Sequence, residues 1–138
     1  MYKRQGRTRL STTSAPQVNI TTRRSADLSL SLGWLNIQSL TNKTNAVEEL
    51  ILERLIDVLA LTETWHSTSD DVCLRLSTPP EYAVIDVARQ SGRGGGVAVI
   101  FRKNLKCGLL PLPTCDAFEA VCVRLTTTEE PILLVNVY

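Results

Sequence analysis

Two oxygen-bearing side chains stand where apolar stretches of the sequence give way to polar residues. Asn36 ends the segment LSLSLGWLN, and Glu63 follows the run VLALT. If a crossover helix joins these stretches, they are parallel neighbours, and both side chains emerge at the sheet edge where α/β proteins often bind ligands. Carboxylate and amide oxygens suit Mg²⁺, which also keeps waters and takes a substrate phosphate. Two interpretations stay open: Asn36 and Glu63 hold a metal ion, or they make only local hydrogen bonds at a loop edge.

Three neighbouring features carry weaker indications of chemistry. The segment GRGGGVAVIF lacks the G-K-[ST] ending of a phosphate loop and opens no helix, so its glycines are interpreted as allowing unusual backbone angles and close approach. Arg93 either contacts a nucleic-acid phosphate or is a solvated loop residue, and we favour the second. His66, the only histidine, has no acid partner in a motif, so we predict a surface or half-buried position rather than a general base.

One amphipathic helix is predicted between Asn36 and Glu63. The segment AVEELILERLI carries Val47, Leu50, Ile51 and Leu55 at helical spacing. Asn45 is the expected N-cap, with Glu48 three residues later as in a capping box. The helix is expected to end near Leu55 or Ile56.

Strands are predicted on both sides of that helix. They are the stretch from Leu28 to Asn36 and the segments 57–63, 82–88, 97–102, 118–125 and 132–138. KNLKCG and TTTEEP are predicted turns. In FEAVCVRL, alternation places Phe118, Ala120, Cys122 and Arg124 on one face, and Glu119, Val121, Val123 and Leu125 on the other. The order predicts a mixed α/β fold with a partly antiparallel sheet, and a chain that stops inside a strand predicts a truncated domain.

Length and charge distribution indicate one domain preceded by a basic tail. The chain has 138 residues, 43 % of them hydrophobic, with no run long enough for a membrane helix and no secretory leader. Residues 1–26 carry six basic side chains and no acidic one. We predict a disordered Ser/Thr-rich tail over residues 1–29. Three interpretations of this tail stay open: it contacts phosphates, it acts as a transit peptide, or it is a solvated leader. We favour the third.

The four cysteines show no metal-binding spacing. They form no C-x-x-C pair, so a zinc site is unfavoured, and we predict reduced, mostly packed thiols. These residues are Cys73, Cys107, Cys115 and Cys122.

Four segments carry a resemblance to a known family. LNIQSLTNKTNAVEELILERLIDVLALTETW, GRGGGVAVIFRKNL, FEAVCVRL and PILLVNVY resemble, in that order, the first half of an endonuclease/exonuclease/phosphatase domain. The similarity is strongest to the apurinic-type endonuclease domain of non-LTR retrotransposons and covers residues 30–138. It implies the first half of a DNase I-like two-sheet α/β sandwich, with Mg²⁺ or Mn²⁺ as cofactor and DNA as partner. The cellular location stays open, with nuclear access expected of a retrotransposon product.

The resemblance also implies roles for individual residues. Glu63 resembles the family's metal-binding glutamate, and Asn36 the asparagine beside that metal. Tyr138 resembles the tyrosine that contacts the scissile phosphate. Glu119 and Arg93 match features of the retrotransposon branch without an assigned role.

The family's later motifs are missing from this sequence, which shapes the functional hypotheses. An Asp-x-Asn element and a Ser-Asp-His element should follow Tyr138, and His66 does not replace the latter. We therefore expect a metal-dependent phosphodiesterase half that is inactive alone. The alternative is a non-catalytic nucleic-acid-binding or interaction remnant, and a phosphoesterase for lipid or inositol phosphates is a weaker third. Half a sandwich should also expose a sheet face lined by Val97, Val99 and Val135, which predicts self-association.

Overall fold

The protein is a two-sheet α/β structure, as the sequence predicts. The computed structural model describes residues 19–25, 28–90, 92–127 and 130–138. None of the helices in these ranges has the length and apolar character needed to cross a membrane. The elements in chain order are β1 (Asn19–Ser25), β2 (Leu28–Asn36), α1 (Thr44–Glu53), β3 (Val58–Thr62), α2 (Val72–Leu76), β4 (Tyr82–Val87), β5 (Val97–Arg102), β6 (Lys106–Leu110), β7 (Ala120–Thr126) and β8 (Ile132–Val137).

The larger sheet is mixed and has the strand order β1-β2-β3-β5-β4. Strands β2 and β3 are parallel, with Asn36 opposite Thr62, while the other neighbours are antiparallel. The parallel pair requires a crossover connection, and α1 lies in it. This arrangement confirms the predicted mixed sheet with one main early helix.

The first core lies between α1 and one face of the large sheet. Val47 and Ile51 of α1 are buried in one cluster with Leu59 and Leu61 of β3 and Ile100 of β5. Strand β3 is buried on its other face as well, because Val58 belongs to the second core. A five-residue strand covered on both faces reads as an uninterrupted apolar run, which is why VLALT shows no alternation.

The second core lies between the large sheet and a small antiparallel sheet of order β6-β7-β8. Val97 and Val99 of β5 pack with Val121, Val123 and Leu125 of β7 and are fully buried. The prediction that Val97 and Val99 line an uncovered face is therefore wrong, because the chain supplies part of the second sheet itself. Val135 is 56 % exposed, since it points away from that core on β8.

Helix α1 begins and ends earlier than predicted. Its N-cap is Lys43 rather than Asn45, and no side chain caps its first turn. The helix ends at Glu53, because Leu55 adopts a φ of 51° that an α-helix excludes. Ile56 then donates its N–H to the Ile51 carbonyl at 3.0 Å and is buried. The apolar spacing thus extends past the helix because Ile56 packs into the core from the turn.

Other differences fall at the borders of the predicted segments. Asn19–Ser25, inside the predicted tail 1–29, forms strand β1, which pairs antiparallel with β2. Residues 1–18 and 26–27 of that tail lie outside the described residues. Backbone pairing along β2 orders this polar segment. Strand β6 takes the second half of the predicted turn KNLKCG. Helix α2, unpredicted, is capped by Asp71, whose side chain accepts the Cys73 N–H at 2.7 Å.

The cysteines are all free, and most are packed, as predicted. Cys122 is buried, Cys73 and Cys107 are half-buried, and Cys115 is exposed. Burial raises the pKa of the Cys107 thiol above its ordinary value. Burial also raises the pKa of Cys73, and the adjacent Asp71 carboxylate adds to that effect.

The packing of the two sheets predicts different costs for two Val→Ala changes. Val99→Ala removes two buried methyl groups, so we expect the free energy of unfolding to fall by about 2 kcal/mol. Val135→Ala, on the exposed face of β8, should change it by no more than about 0.5 kcal/mol. Urea unfolding followed by tryptophan fluorescence measures both. Equal losses in the two variants would contradict the assignment of Val99 to an inter-sheet core.

Candidate functional site

Asn36 and Glu63 meet at one rim of the large sheet. Asn36 is the last residue of β2, and Thr62 of β3 lies opposite it in the parallel pair. Glu63 directly follows Thr62. The Asn36 Nδ2 donates to Glu63 Oε1 at 2.8 Å. Asn36 Oδ1 accepts the Gln38 N–H at 3.2 Å, which orients the amide. The structure thus brings the two predicted metal residues together, and their role toward a metal stays a prediction.

The turn that carries Glu63 is held by backbone bonds on both sides. Glu63 and Trp65 adopt φ of 54° and 59°, a region that non-glycine residues rarely occupy. The Glu63 carbonyl accepts the Ser39 N–H at 2.7 Å, and Trp65 donates to the Gly95 carbonyl at 2.9 Å. Such conformations cost about 1–3 kcal/mol each and persist where the surroundings fix them. The position of Glu63 is therefore set by two neighbouring loops.

His66 is buried under this turn and has two partners. Its Nδ1 lies 2.6 Å from Thr64 Oγ1, and its Nε2 lies 2.9 Å from Asp86 Oδ2. An ionised carboxylate only accepts, so Nε2 carries the proton. In the neutral ring Nδ1 is then the acceptor for the Thr64 hydroxyl.

The prediction of a surface or half-buried His66 is wrong, because its side chain is fully buried. Asp86 stands 20 residues later on β4, and only the sheet brings it beside the imidazole. The ring does not reach solvent, so His66 supports the turn rather than meeting a substrate. No local motif marks this pair, which is why the sequence did not reveal it.

The glycine run is interpreted correctly as a place of close backbone approach. Gly94, Gly95 and Gly96 have φ of 84°, 73° and 83°. A Cβ on Gly96 would lie 2.5 Å from Thr64 Oγ1 and 3.0 Å from His66 Nδ1. A Cβ on Gly95 would lie 2.6 Å from Glu119 Oε2. The run therefore allows the loop before β5 to pack against the Glu63 turn.

Glu119 connects the glycine loop to the end of β8. Its Oε2 accepts the Gly96 N–H at 3.0 Å, and its Oε1 lies 3.5 Å from Arg89 Nε. Its backbone N–H donates to the Tyr138 carbonyl at 3.1 Å and its carbonyl accepts the Tyr138 N–H at 2.9 Å. Tyr138 thus belongs to the same rim through a chain of hydrogen bonds that reaches Thr64.

Tyr138 lies at the rim and is not hydrogen-bonded to the predicted metal residues, all of them described by the structure. Its side chain is half-exposed and lines an open groove of about 760 Å³ together with Arg89 and Glu119. It makes no hydrogen bond with Asn36 or Glu63, all three being within the described part of the chain. The structure therefore joins Asn36 to Glu63 directly and Tyr138 only indirectly.

Asn136 is a rim residue that the sequence analysis missed. It is buried, and its Nδ2 donates to the carbonyls of Leu61 at 2.8 Å and Ala98 at 3.1 Å. These bonds tie β8 to strands β3 and β5 of the facing sheet. A single polar residue inside the apolar run ILLVNV was the available indication, because a buried amide needs partners.

The rim suits a hard cation that needs few protein ligands. The described ranges contain no group of three or more His, Cys, Asp or Glu side chains able to hold a metal. Glu63 offers a carboxylate, and the bond from Asn36 uses only part of its acceptor capacity. Mg²⁺ commonly takes one or two carboxylates and fills its other positions with water and phosphate oxygens. The side chains at the rim therefore fit Mg²⁺ with water and phosphate as further ligands. They are too few for a metal ion that takes all its ligands from the protein.

Comparison with protein families finds one match. The model described as Endonuclease/Exonuclease/phosphatase family matches residues 33–138, more than half of the chain. The comparison with curated proteins finds no match.

Several solved structures share the fold at low sequence identity. The AP endonuclease LMAP from Leishmania major is 22 % identical with a TM-score of 0.59, over 76 % of this chain and 38 % of that one. An endonuclease/exonuclease/phosphatase family protein from Leptotrichia buccalis C-1013-b is 17 % identical with a TM-score of 0.58, over 78 % and 52 %. The endonuclease domain of TRAS1, a telomere-specific non-LTR retrotransposon, is 19 % identical with a TM-score of 0.54, over 78 % and 44 %. This chain thus spans about half, or less, of the structures it matches.

The close approach at Gly96 predicts a site-specific cost for adding one methyl group. Gly96→Ala places Cβ against Thr64 and His66 at a φ of 83°, so we expect at least about 2 kcal/mol of lost stability. Gly108→Ala is the matched control, because its Cβ would meet no atom within 4 Å. Thermal unfolding by circular dichroism compares them. A Gly96 variant as stable as the Gly108 variant would show that the loop does not pack on the turn.

Proposed function

The chain belongs to the endonuclease/exonuclease/phosphatase family, and we propose that it is the metal-holding part of a DNA-nicking phosphodiesterase domain of the non-LTR retrotransposon type. The observation that carries the proposal is the bond from Asn36 Nδ2 to Glu63 Oε1 at the rim of the large sheet. The family match and the shared fold support a nuclease or phosphodiesterase type of domain. The metal, the DNA substrate and the retrotransposon type are the proposed steps.

In this proposal Glu63 binds Mg²⁺ or Mn²⁺, and Asn36 holds the carboxylate in place. A ligating carboxylate is commonly oriented by a hydrogen-bond donor next to it, and loss of such a donor weakens metal binding. Within the described residues, the Asn36 amide is the side chain that donates to the Glu63 carboxylate, and the hydrogen bond from Ser39 uses the Glu63 backbone. A bound divalent ion stabilises negative charge on a phosphodiester undergoing cleavage. Tyr138, on the same rim, is proposed to contact the phosphate.

We propose further that this chain alone does not cleave DNA. Hydrolysis needs a base that activates water as well as a metal. The only histidine of the chain, His66, is buried between Thr64 and Asp86. The chain therefore holds the metal-binding side of the reaction and has no histidine exposed at the rim to act as that base.

DNA is the partner that the charge distribution favours. Six basic side chains within residues 1–26 attract phosphates without sequence preference. The similar structures include an endonuclease domain from a retrotransposon and an AP endonuclease, which supports the same class of partner. The basic tail and a divalent ion at Glu63 would then act on the same ligand, the phosphates of DNA.

A non-catalytic interaction module is the second candidate. Leu133, Val135 and Val137 form an exposed apolar row on β8, and β8 is an edge strand of the small sheet. Uncovered strand edges of this kind favour pairing with another chain, including a second copy. Under this alternative Glu63 has no metal role, so the experiment that follows distinguishes the two candidates.

Manganese binding tests the role of Glu63. We expect Glu63→Gln to weaken Mn²⁺ binding by at least about tenfold, because the carboxylate ligand is lost. Asn36→Ala should weaken it by about tenfold through a misplaced carboxylate. Glu49→Gln, an exposed change on α1, is the control and should bind like the parent chain. Free Mn²⁺ measured by electron paramagnetic resonance gives the affinities. Equal affinities in the parent and Glu63→Gln chains would favour the interaction module.

Plasmid nicking tests the inactivity of the chain. With Mg²⁺ or Mn²⁺ we expect no conversion of supercoiled to relaxed DNA beyond that of the Glu63→Gln protein purified in parallel. The reason is the missing base at the rim. Agarose gel electrophoresis over a time course is the measurement. Nicking by the parent chain that Glu63→Gln abolishes would overturn the inactivity and leave the metal proposal standing.

A further inference from the structure

An aromatic side chain stands beside the Asn36–Glu63 pair without a place in either core. Trp65 is 42 % exposed and is absent from both buried clusters. It lies two residues after Glu63, on the same strained turn. The guanidinium of Arg93 lies over its ring, 5.6 Å from the ring centroid. Core packing therefore does not account for this tryptophan.

The surroundings of Trp65 hold its backbone and leave room at its ring. Its N–H donates to the Gly95 carbonyl at 2.9 Å, which fixes the turn in its left-handed conformation. Gly94 passes along the edge of the indole, and a Cβ there would lie 3.4 Å from Nε1. Arg93, between Gly92 and Gly94, is itself exposed. The loop thus presents a flat ring and a planar cation together at the surface.

We propose that Trp65 and Arg93 form a stacking platform for an unpaired nucleobase of the DNA strand whose phosphate lies at Glu63. The inference rests on the proposed function for its choice of ligand. An exposed indole stacks on any base, because every base has a π face, and arginine adds a cation–π contribution. The platform binds the base, while the Glu63 rim, two residues away, binds the adjacent backbone.

The charges around the platform favour a nucleic acid over an apolar partner. Arg93 brings a positive charge directly onto the ring, and a hydrophobic partner would have to desolvate that charge. A nucleotide satisfies both parts, because its base stacks and its phosphate pairs with the guanidinium. Trp34, the other exposed tryptophan, lies within β2, and no arginine side chain that the structure describes lies over its ring. It therefore serves as the matched control.

Binding of a fluorescein-labelled ten-nucleotide oligo-dT, followed by anisotropy, tests the platform. We expect Trp65→Ala to weaken binding about tenfold, the loss typical of one stacked base. Trp34→Ala, which removes a comparably exposed indole, should stay within about twofold of the parent chain. Trp65→Phe keeps a stacking ring and should retain affinity within about threefold, which separates stacking from a failure to fold. In a Trp34→Phe background the fluorescence of Trp65 should be quenched as the strand binds.

Three outcomes would overturn the platform. The first is equal affinity of Trp65→Ala and Trp34→Ala for the oligo-dT, and the second is a Trp65→Phe variant that binds as weakly as Trp65→Ala. The third is an equal loss of affinity in Trp65→Ala for a blunt duplex of the same sequence, because the bases of a duplex are already stacked. Failure of the metal proposal appears instead as unchanged Mn²⁺ affinity in Glu63→Gln. Because that titration contains no DNA and this one contains no metal, the two failures are distinguishable.

Discussion

The parallel pairing of β2 with β3 is the constraint on which the rim depends. Its register sets Asn36 opposite Thr62, so that the next residue, Glu63, comes within hydrogen-bond distance of the Asn36 amide. A slip of one residue would exchange the two faces of a strand. The buried faces forbid such a slip, since Leu59 and Leu61 pack under α1 while Val58 packs toward the small sheet. The site geometry is therefore a consequence of core packing.

The turn after β3 adds a second constraint, which acts through backbone atoms. Glu63 and Trp65 adopt left-handed conformations that their side chains disfavour. Bonds from Ser39 and to Gly95 hold these conformations from opposite sides. Beneath the turn, both ring nitrogens of His66 have partners, Thr64 and Asp86, and no buried side-chain nitrogen or oxygen in the described ranges lacks one. A fully satisfied buried network is rigid, whereas a partly satisfied one would destabilise the turn.

The sequence predicted those features that depend on local pattern. The apolar periods located α1 and most strands, and polar residues at two strand ends identified Asn36 and Glu63. It could not locate contacts made across the sheets. The pairing of His66 with Asp86, the bonds from Asn136 to β3 and β5, and the burial of Val97 all depend on which strands become neighbours. The end of α1 was missed for a related reason, because Ile56 is buried from a turn and continues the helical spacing.

The two sheets contribute different residues to the rim. The positions of those residues therefore depend on different parts of the fold. Asn36 and Glu63 stand on the large sheet, where the pairing of β2 with β3 and the backbone bonds of the turn after β3 set their contact. Tyr138 reaches the rim through β8, which is fixed by Asn136 and by the bonds between Tyr138 and Glu119. Loosening the inter-sheet core would therefore displace Tyr138 first and leave the Asn36–Glu63 pair in place. Under the proposed function, such a loosened chain would keep the residues proposed to hold the metal together and would lose the position of the residue proposed to contact the phosphate.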